Sequence, residues 1–179
     1  MKKVIALLAV ACLLLSMVAC GNEAKPTNTD PQNSDTTPST PIGDPDAYFF
    51  TYEGTEIRLH ADMAAILQAL GEPKKYTEST SCAFDGLDKV YVYAGFKIQT
   101  YPQNGKDYVL SVELTDDSVA TPEGIAIGAT KDQVVTAYST PNSESDTALS
   151  YLDTAKKVTL QFLLRDGKVT NIQYLRETK

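Results

Sequence analysis

An internal repeat places the strongest constraint on how this chain can fold. Residues 57–73 and residues 125–141 match each other at a constant offset of 68 positions. Four residues of the first segment meet identical residues in the second: Ile57, Ala61, Ala69 and Pro73. A chain that carries one pattern twice is expected to build the same local structure twice. The alternative is that two unrelated helix–strand stretches merely look alike.

Each copy begins with a short predicted helix. Asp62 and Thr130 occupy matching positions and are good N-caps, and Thr130 forms a capping box with Gln133. Gly71 or Ser139 should end the helix. Apolar residues follow the spacing of one helix face in the first copy: Met63, Ile66, Leu67 and Leu70. Four helix residues are therefore expected to be buried: Ile66, Leu67, Val134 and Val135.

Stretches rich in β-forming residues follow each predicted helix. They cover residues 81–84, 89–93, 96–101 and 108–114 in the first copy, and residues 149–152, 157–164 and 168–174 in the second. Asn104-Gly105 and Asp166-Gly167 are turn signals before the last strands. The predicted fold is α+β: two tandem helix-plus-antiparallel-sheet repeats, with the helices packed on one face of the sheet.

The repeated motif resembles a known structural family. Its second copy reads Ile127-Gly128, Thr130, Val134 and Pro141, and its first copy reads Leu59, Asp62, Ile66, Leu67, Gly71 and Pro73. This pattern is similar to the tandem modules of the β-lactamase inhibitor protein family and to the small domain of outer-membrane-assembly lipoproteins. The resemblance covers residues 49–174. It implies short helices on an antiparallel sheet, and a domain that binds proteins.

The chain departs from that family in two respects. It lacks the cysteine pairs of the inhibitor, and His60 stands where the motif has glycine. The shared motif contains none of the family's binding residues, so the resemblance assigns none here.

The N-terminus reads as a lipoprotein signal peptide, residues 1–19. Lys2 and Lys3 precede an apolar run, residues 4–15, that is short for a membrane span. Met17-Val18-Ala19-Cys20 resembles the motif that lipoprotein signal peptidase cleaves before a lipidated cysteine. The sequence therefore predicts a palmitate-bearing protein that Cys20 anchors to the extracytoplasmic face of the cell membrane. An ordinary signal peptide is the alternative.

A polar segment separates the predicted anchor from the folded domain. Residues 20–47 hold five prolines among many Thr, Ser, Asn and Asp residues, and such a composition cannot bury enough apolar surface to order the chain. We expect a disordered tether there and a single domain at residues 48–179, with its repeats at about 48–116 and 117–179. The net charge of −7 argues against a nucleic-acid partner.

Few residues suggest catalysis or metal binding. His60 is the chain's one histidine, and Cys82 is the one cysteine beyond the lipobox. A Cys82–His60 dyad is conceivable, but the repeat places Cys82 opposite Leu149, so a buried structural thiol is expected. One histidine and one cysteine do not make a zinc site with ordinary spacing. We therefore predict no enzyme, no metal and no cofactor.

Tyrosine is the remaining unusual feature. All ten tyrosines follow residue 47. Period-two alternation sends aliphatic residues to one side of the sheet and a polar, tyrosine-bearing face to the other. The predicted binding residues on that face are Tyr91, Tyr93, Lys97, Gln99, Tyr101, Gln161 and Gln173. The alternative is an ordinary solvent-facing surface.

The sequence as a whole predicts a membrane-tethered, non-catalytic binding module at the cell envelope. Its partner would be a protein or an extended polymer that meets the sheet face. An envelope enzyme or a small-ligand receptor, using a cleft between the repeats, is the second hypothesis. A compact pocket of converging titratable side chains that includes His60 would favour that second hypothesis.

Overall fold

Antiparallel strands dominate residues 48–176, the part of the chain that the computed structural model describes. The predicted signal peptide, Cys20 and the tether, residues 1–47, lie outside the described residues, as do residues 177–179. The elements, in chain order, are β1 (Phe50–Tyr52), β2 (Thr55–Ile57), α1 (Met63–Leu70), β3 (Lys75–Thr80), β4 (Leu87–Val92), β5 (Phe96–Gln103), β6 (Lys106–Leu114), α2 (Lys131–Tyr138), β7 (Ser143–Glu144), β8 (Ala148–Asp153), β9 (Val158–Arg165) and β10 (Lys168–Arg176).

Eight of these strands form one antiparallel sheet in the order β3-β4-β5-β6-β10-β9-β8-β7. Lys97 of β5 lies opposite Glu113 of β6, and Glu113 lies opposite Gln173 of β10. Gln173 in turn lies opposite Gln161 of β9. The strands of the first half of the chain therefore meet those of the second half where β6 pairs with β10.

The β1–β2 hairpin forms a second, small layer against this sheet. Phe50 is fully buried, and its ring centroid lies 4.9 Å from that of Phe96 and 6.3 Å from that of Tyr174. The Tyr52 ring also packs against Phe96, with ring centroids 4.8 Å apart. Fully buried side chains of the large sheet complete the core: Phe96, Ile98, Val112, Leu114, Leu160, Phe162 and Ile172.

The predicted fold class is wrong. Strands hold 50% of the described residues and helices hold 12%, so the fold is β-sandwich-like rather than two helix-plus-sheet repeats with helices packed on one face. Each helix has only eight residues and covers little of an eight-stranded sheet. The hairpin residues Phe50 and Ile57 supply further cover; Phe50 lies outside the repeat, and the repeat gave no sign that Ile57 belongs to a hairpin.

The predicted helix starts are confirmed. The Asp62 side chain accepts a hydrogen bond from the Ala64 amide at 3.0 Å. Thr130 and Gln133 form both halves of the capping box, with distances of 2.8 and 3.3 Å. Gly71 and Ser139 follow the two helices with positive φ angles of 72° and 63°. These features depend on neighbouring residues alone, which is why the sequence reveals them.

The prediction that four helix residues are buried is correct for two of them. Ile66 and Val134 are buried, with 4% and 0% exposure, as expected. Leu67 and Val135 are only partly buried. Each helix therefore presents a narrower face to the core than its apolar spacing indicates.

Two predicted turns are confirmed and one predicted strand is wrong. Asn104-Gly105 joins β5 to β6, and Asp166-Gly167 joins β9 to β10; all four residues have positive φ, as a tight hairpin turn requires. Residues 81–84, predicted as a strand, lie in the loop between β3 and β4. Cys82 lies in that loop and is exposed, so the expectation of a buried thiol is also wrong.

Candidate functional site

Tyr91 and Tyr93 lie in the core and not on an open sheet face. They are 5% and 7% exposed, and Tyr91 stands opposite the fully buried Ile98. The residues that alternate with them, Val90 and Val92, are half-buried and face the other way. Alternation shows which residues of one strand lie on the same face of the sheet. It does not show which residues of the neighbouring strand lie on that face. The expected exposure of these two tyrosines is therefore wrong.

Tyr101 is covered as well, by a different group of side chains. Alternation along β5 puts it on the same side as Lys97 and Gln99, as predicted, but it is only 3% exposed. Its ring centroid lies 4.9 Å from that of Phe84, and the Arg176 guanidinium stacks over it at 4.6 Å. Tyr101 is thus not an open contact residue either.

Two buried tyrosines donate hydrogen bonds to carbonyl groups at the C-terminal ends of the helices. The Tyr93 hydroxyl donates to the Gly71 carbonyl at 3.2 Å, and the Tyr151 hydroxyl donates to the Ser139 carbonyl at 3.1 Å. A helix leaves its last carbonyls without partners inside the helix, so a side-chain donor there adds stability. These tyrosines have a structural role that the sequence alone did not show.

The four remaining predicted residues, Lys97, Gln99, Gln161 and Gln173, do share one surface. This surface, here called the open sheet face, also includes Ser111, Glu113, Ser150 and Asn171. All eight are half-buried. Four contacts link them across strands: Lys97–Glu113 at 2.9 Å, Asn171–Glu113 at 3.0 Å, Gln161–Ser150 at 3.2 Å and Ser111–Gln99 at 3.3 Å. Much of the hydrogen-bonding capacity of this face is therefore used within the protein.

A second candidate site is a cleft of about 290 Å³ beside His60, here called the His60 cleft. It brings together three separate parts of the chain: Tyr48, two residues before β1; the segment between β2 and α1; and the β8–β9 turn with its flanking residues. Its lining residues are Tyr48, Arg58, Leu59, His60, Asp153, Lys156 and Val158. Two permanent cations and the chain's one histidine thus converge in a protein of net charge −7.

The backbone fixes His60 at the cleft wall. Its φ angle is 65°, and its amide donates to the Val109 carbonyl at 2.9 Å. The ring nitrogen Nδ1 lies 3.4 Å from the Tyr101 hydroxyl. Burial, followed by the charges of Arg176 and Lys157, lowers the pKa of His60 below its usual range. The imidazole is therefore neutral near pH 7, and an anion bound beside it would favour its protonated form.

Asp153 and Tyr48 form the other wall. Asp153 is 7% exposed, and its Oδ1 accepts a hydrogen bond from the Lys156 amide at 2.9 Å, which fixes the turn that carries Lys156. Burial, with smaller contributions from Asp153 and Glu123, raises the pKa of Tyr48 above its usual range. The Tyr48 phenol therefore keeps its proton at any physiological pH and can act as a hydrogen-bond donor.

Removal of His60 should change how stability depends on pH. Because the pKa of His60 is lower in the folded protein than in the unfolded chain, the unfolded chain binds more protons at pH values just below about 6.5. Stability should then fall as the pH drops below that value. His60→Asn tolerates the positive φ and should show a shallower fall, measured by denaturant unfolding at stepwise lower pH. Identical pH profiles for the two proteins would contradict this assignment.

The structure supports neither a thiol dyad nor a metal centre within the part of the chain that it describes. The side-chain hydrogen bond of His60 is with Tyr101, while Cys82 lies in the exposed β3–β4 loop. No group of three or more His, Cys, Asp or Glu side chains in residues 48–176 is placed to hold a metal ion. Within the same residues, no helix has the length and apolar character that crossing a membrane requires.

Comparison with known proteins gives no family assignment. No protein-family model matches the chain, and no curated protein matches it. One solved structure shares part of its shape: an extracellular protein containing an SCP domain from Bacillus anthracis str. Ames, with 14% sequence identity and a TM-score of 0.39. The match covers 72% of this chain, which spans 50% of the length of that protein. Function must therefore be argued from the chemistry of the site.

Proposed function

We propose that this chain is an exported lipoprotein whose folded domain is a non-catalytic receptor for a small anionic ligand. Lipid on Cys20 would hold it at the extracytoplasmic face of the cell membrane, with residues 20–47 as the tether. The convergence of Arg58, His60 and Lys156 on one cleft carries the binding proposal. This is the second hypothesis of the sequence analysis, a small-ligand receptor that uses a cleft, in place of a protein or polymer partner at the sheet face.

The charge and hydrogen-bonding groups of the His60 cleft suit an anion. Arg58 and Lys156 supply positive charge, and the Tyr48 hydroxyl and the His60 ring supply donors at short range. Two carboxylates oppose this positive charge: Glu56 forms an ion pair with Arg58 at 2.9 Å, and Asp153 accepts a hydrogen bond from the Lys156 amide through its Oδ1. A bound anion would gain from charge-assisted hydrogen bonds in a partly buried site, where solvent weakens them less than at a free surface.

The size of the His60 cleft limits the ligand. Its volume of about 290 Å³ is at the small end of the range for ligand sites. A phosphate, a phosphate monoester or a short carboxylate fits such a space, whereas a folded protein or a long polymer would meet it only in part. We propose binding rather than covalent catalysis at this cleft.

The open sheet face supports a protein partner less well. Aromatic side chains provide most of the affinity at the centre of protein interfaces. Tyr91 and Tyr93 are in the core, and Tyr101 is covered by other side chains. The open sheet face therefore lacks the exposed tyrosines on which the hypothesis of a protein partner depended. Its polar side chains would also have to give up contacts with one another.

Inorganic phosphate binding by Lys156→Ala tests the proposal. Lys156 is exposed in the β8–β9 turn, so its loss should leave the fold intact. Removing one charge-assisted contact should weaken phosphate binding roughly tenfold. Isothermal titration calorimetry on the full chain measures the change.

Lys168→Ala is the matched control, because it removes the same charge. Lys168 follows β9 and Lys156 precedes it, so the two lie at opposite ends of that eight-residue strand. The control should bind phosphate as the wild type does. An equal loss in both variants would show that only net charge matters, and would refute a site at the cleft.

A further inference from the structure

The two ends of the large sheet differ in a way that points to a partner. β7, at one end, has two residues and follows Pro141, and its Glu144 forms an ion pair with Lys131 at 2.5 Å. β3, at the other end, has six residues that are all exposed, and it contains no proline. Proteins usually protect an edge strand by making it short, twisted or covered, or by placing charges or proline on it, because a free edge pairs readily with another strand. β3 carries the charged residues Lys75 and Glu78, but it is neither short, covered nor interrupted by proline.

The pairing of β3 with β4 is regular, and alternate residues of β3 direct their N–H and C=O groups away from β4. The Ser81 amide donates to the Gly86 carbonyl at 3.0 Å, across the loop that joins the two strands. Hydrogen-bonded positions alternate along an antiparallel pair, so Thr77 and Ser79 also bond toward β4. The N–H and C=O groups of Tyr76, Glu78 and Thr80 therefore point to the outer edge of the sheet.

Exposed apolar surface is concentrated at the same edge. The exposed large hydrophobic residues of the described chain are Tyr76, at 45%, and Leu87, at 38%. Leu87 lies opposite Thr80, and Tyr76 lies opposite Tyr91, with ring centroids 5.1 Å apart. Both therefore belong to the face of the β3–β4 hairpin that carries Tyr91. Strand addition requires an exposed sheet edge, and the apolar surface beside this edge offers side-chain contacts to an added strand.

We propose that β3 is a dimerisation edge, at which two copies of this chain pair β3 with β3 in antiparallel orientation about a two-fold axis at Tyr76. Residues whose numbers sum to 152 then lie opposite each other. Tyr76 meets Tyr76 of the second copy, which extends the Tyr76–Tyr91 contact into a row of four rings. The outward backbone groups of Tyr76 and Glu78 gain partners.

Charge complementarity selects a second copy in this register. Lys74 lies opposite Glu78 of the second copy, and the two-fold axis repeats that pair on the other side. Both side chains are exposed and share the face of Tyr76. A register shifted by four residues, with the two-fold axis at Glu78, would place Glu78 opposite Glu78, which is repulsive. This inference concerns a part of the molecule separate from the His60 cleft and does not depend on the ligand proposed there.

Proline at position 78 tests the dimer without removing a backbone hydrogen bond between β3 and β4, although it removes the hydrogen bond that the Glu78 carboxylate accepts from the Tyr76 hydroxyl. The Glu78 amide points away from β4, so Glu78→Pro keeps the β3–β4 ladder while it blocks the edge. Sedimentation equilibrium of the full chain in density-matched detergent should show a wild-type dimer and a monomeric Glu78→Pro variant. Amide exchange at Tyr76 and Glu78 should be slowed in the wild type at dimer-forming concentrations.

Charge exchange provides the second test, in case the proline variant fails to fold. Glu78→Lys should weaken the dimer roughly tenfold or more, and Lys74→Glu added to it should restore much of the affinity. Glu78→Gln, which removes the charge alone, should have a smaller effect than Glu78→Lys. A wild-type chain that stays monomeric at every concentration, or a Glu78→Lys loss that Lys74→Glu leaves unchanged, would overturn the proposal.

Discussion

Replacing Tyr91 and Tyr93 together with alanine is expected to unfold the domain. Both rings are almost fully buried, and Tyr93 also stacks on Phe96 at 5.2 Å and bonds the Gly71 carbonyl. Truncating a large buried aromatic costs about 3–5 kcal/mol, and a domain of this size is stable by about 5–15 kcal/mol. Circular dichroism and denaturant unfolding would measure the loss.

Two control variants separate core packing from surface effects. Val90→Ala with Val92→Ala changes the other face of the same strand, where the side chains are half-buried, and should cost only about 1–2 kcal/mol in total. Tyr93→Phe removes only the hydroxyl and should cost about 1 kcal/mol. If the double tyrosine variant unfolded at the wild-type denaturant concentration, the two rings would have to lie on the surface.

Replacing Cys20 with serine is expected to abolish lipid attachment, and with it the membrane association of any cleaved protein. Under the proposed function, a lipid on Cys20 is the anchor, and the helices of residues 48–176 offer no membrane-spanning replacement. The variant should appear uncleaved or in the soluble fraction, and it should incorporate no labelled palmitate. Cell fractionation with metabolic labelling measures both.

Replacing Cys82 with serine is the control for lipid attachment. Cys82 is exposed in the β3–β4 loop, so its loss should change neither the fold nor lipid attachment. Normal cleavage with full membrane retention in the Cys20→Ser variant would refute the lipoprotein assignment.

The features that the sequence predicted correctly are local ones. Each helix cap involves residues within three positions of each other, such as Thr130 and Gln133. The two confirmed hairpin turns each depend on one adjacent pair, Asn104-Gly105 and Asp166-Gly167. Local backbone geometry and local hydrogen bonds determine these features, so short patterns suffice to identify them.

The features that the sequence missed depend on contacts between distant segments. Period-two alternation was correct within β4 and within β5. The prediction placed Tyr91 on the same face as Lys97, whereas the pairing of the two strands places it on the face of Ile98. The β6 strand also carries an extra residue, Leu110, between the partners of Gln99 and Thr100. Such a bulge changes the facing of later residues, and a single sequence gives little sign of it.

Of the residues that line the His60 cleft, the sequence indicated only one as a candidate site residue. His60 stood out as the chain's one histidine, in the turn before α1. Lys156, Asp153 and Tyr48 join it through the pairing of β8 with β9 and the approach of the chain before β1, which no motif announces. Arg58 is close in sequence, but a lone basic residue carries no signal by itself.

The central claim is that the His60 cleft, and not the open sheet face, is the working surface. Titration of the isotope-labelled full chain with inorganic phosphate, followed by amide chemical shifts, tests it most directly. Saturable shifts are expected at Tyr48, His60 and Lys156, with Gln99, Gln161 and Gln173 unchanged. Shifts confined to the three glutamines, or no saturable shift at any residue, would contradict it.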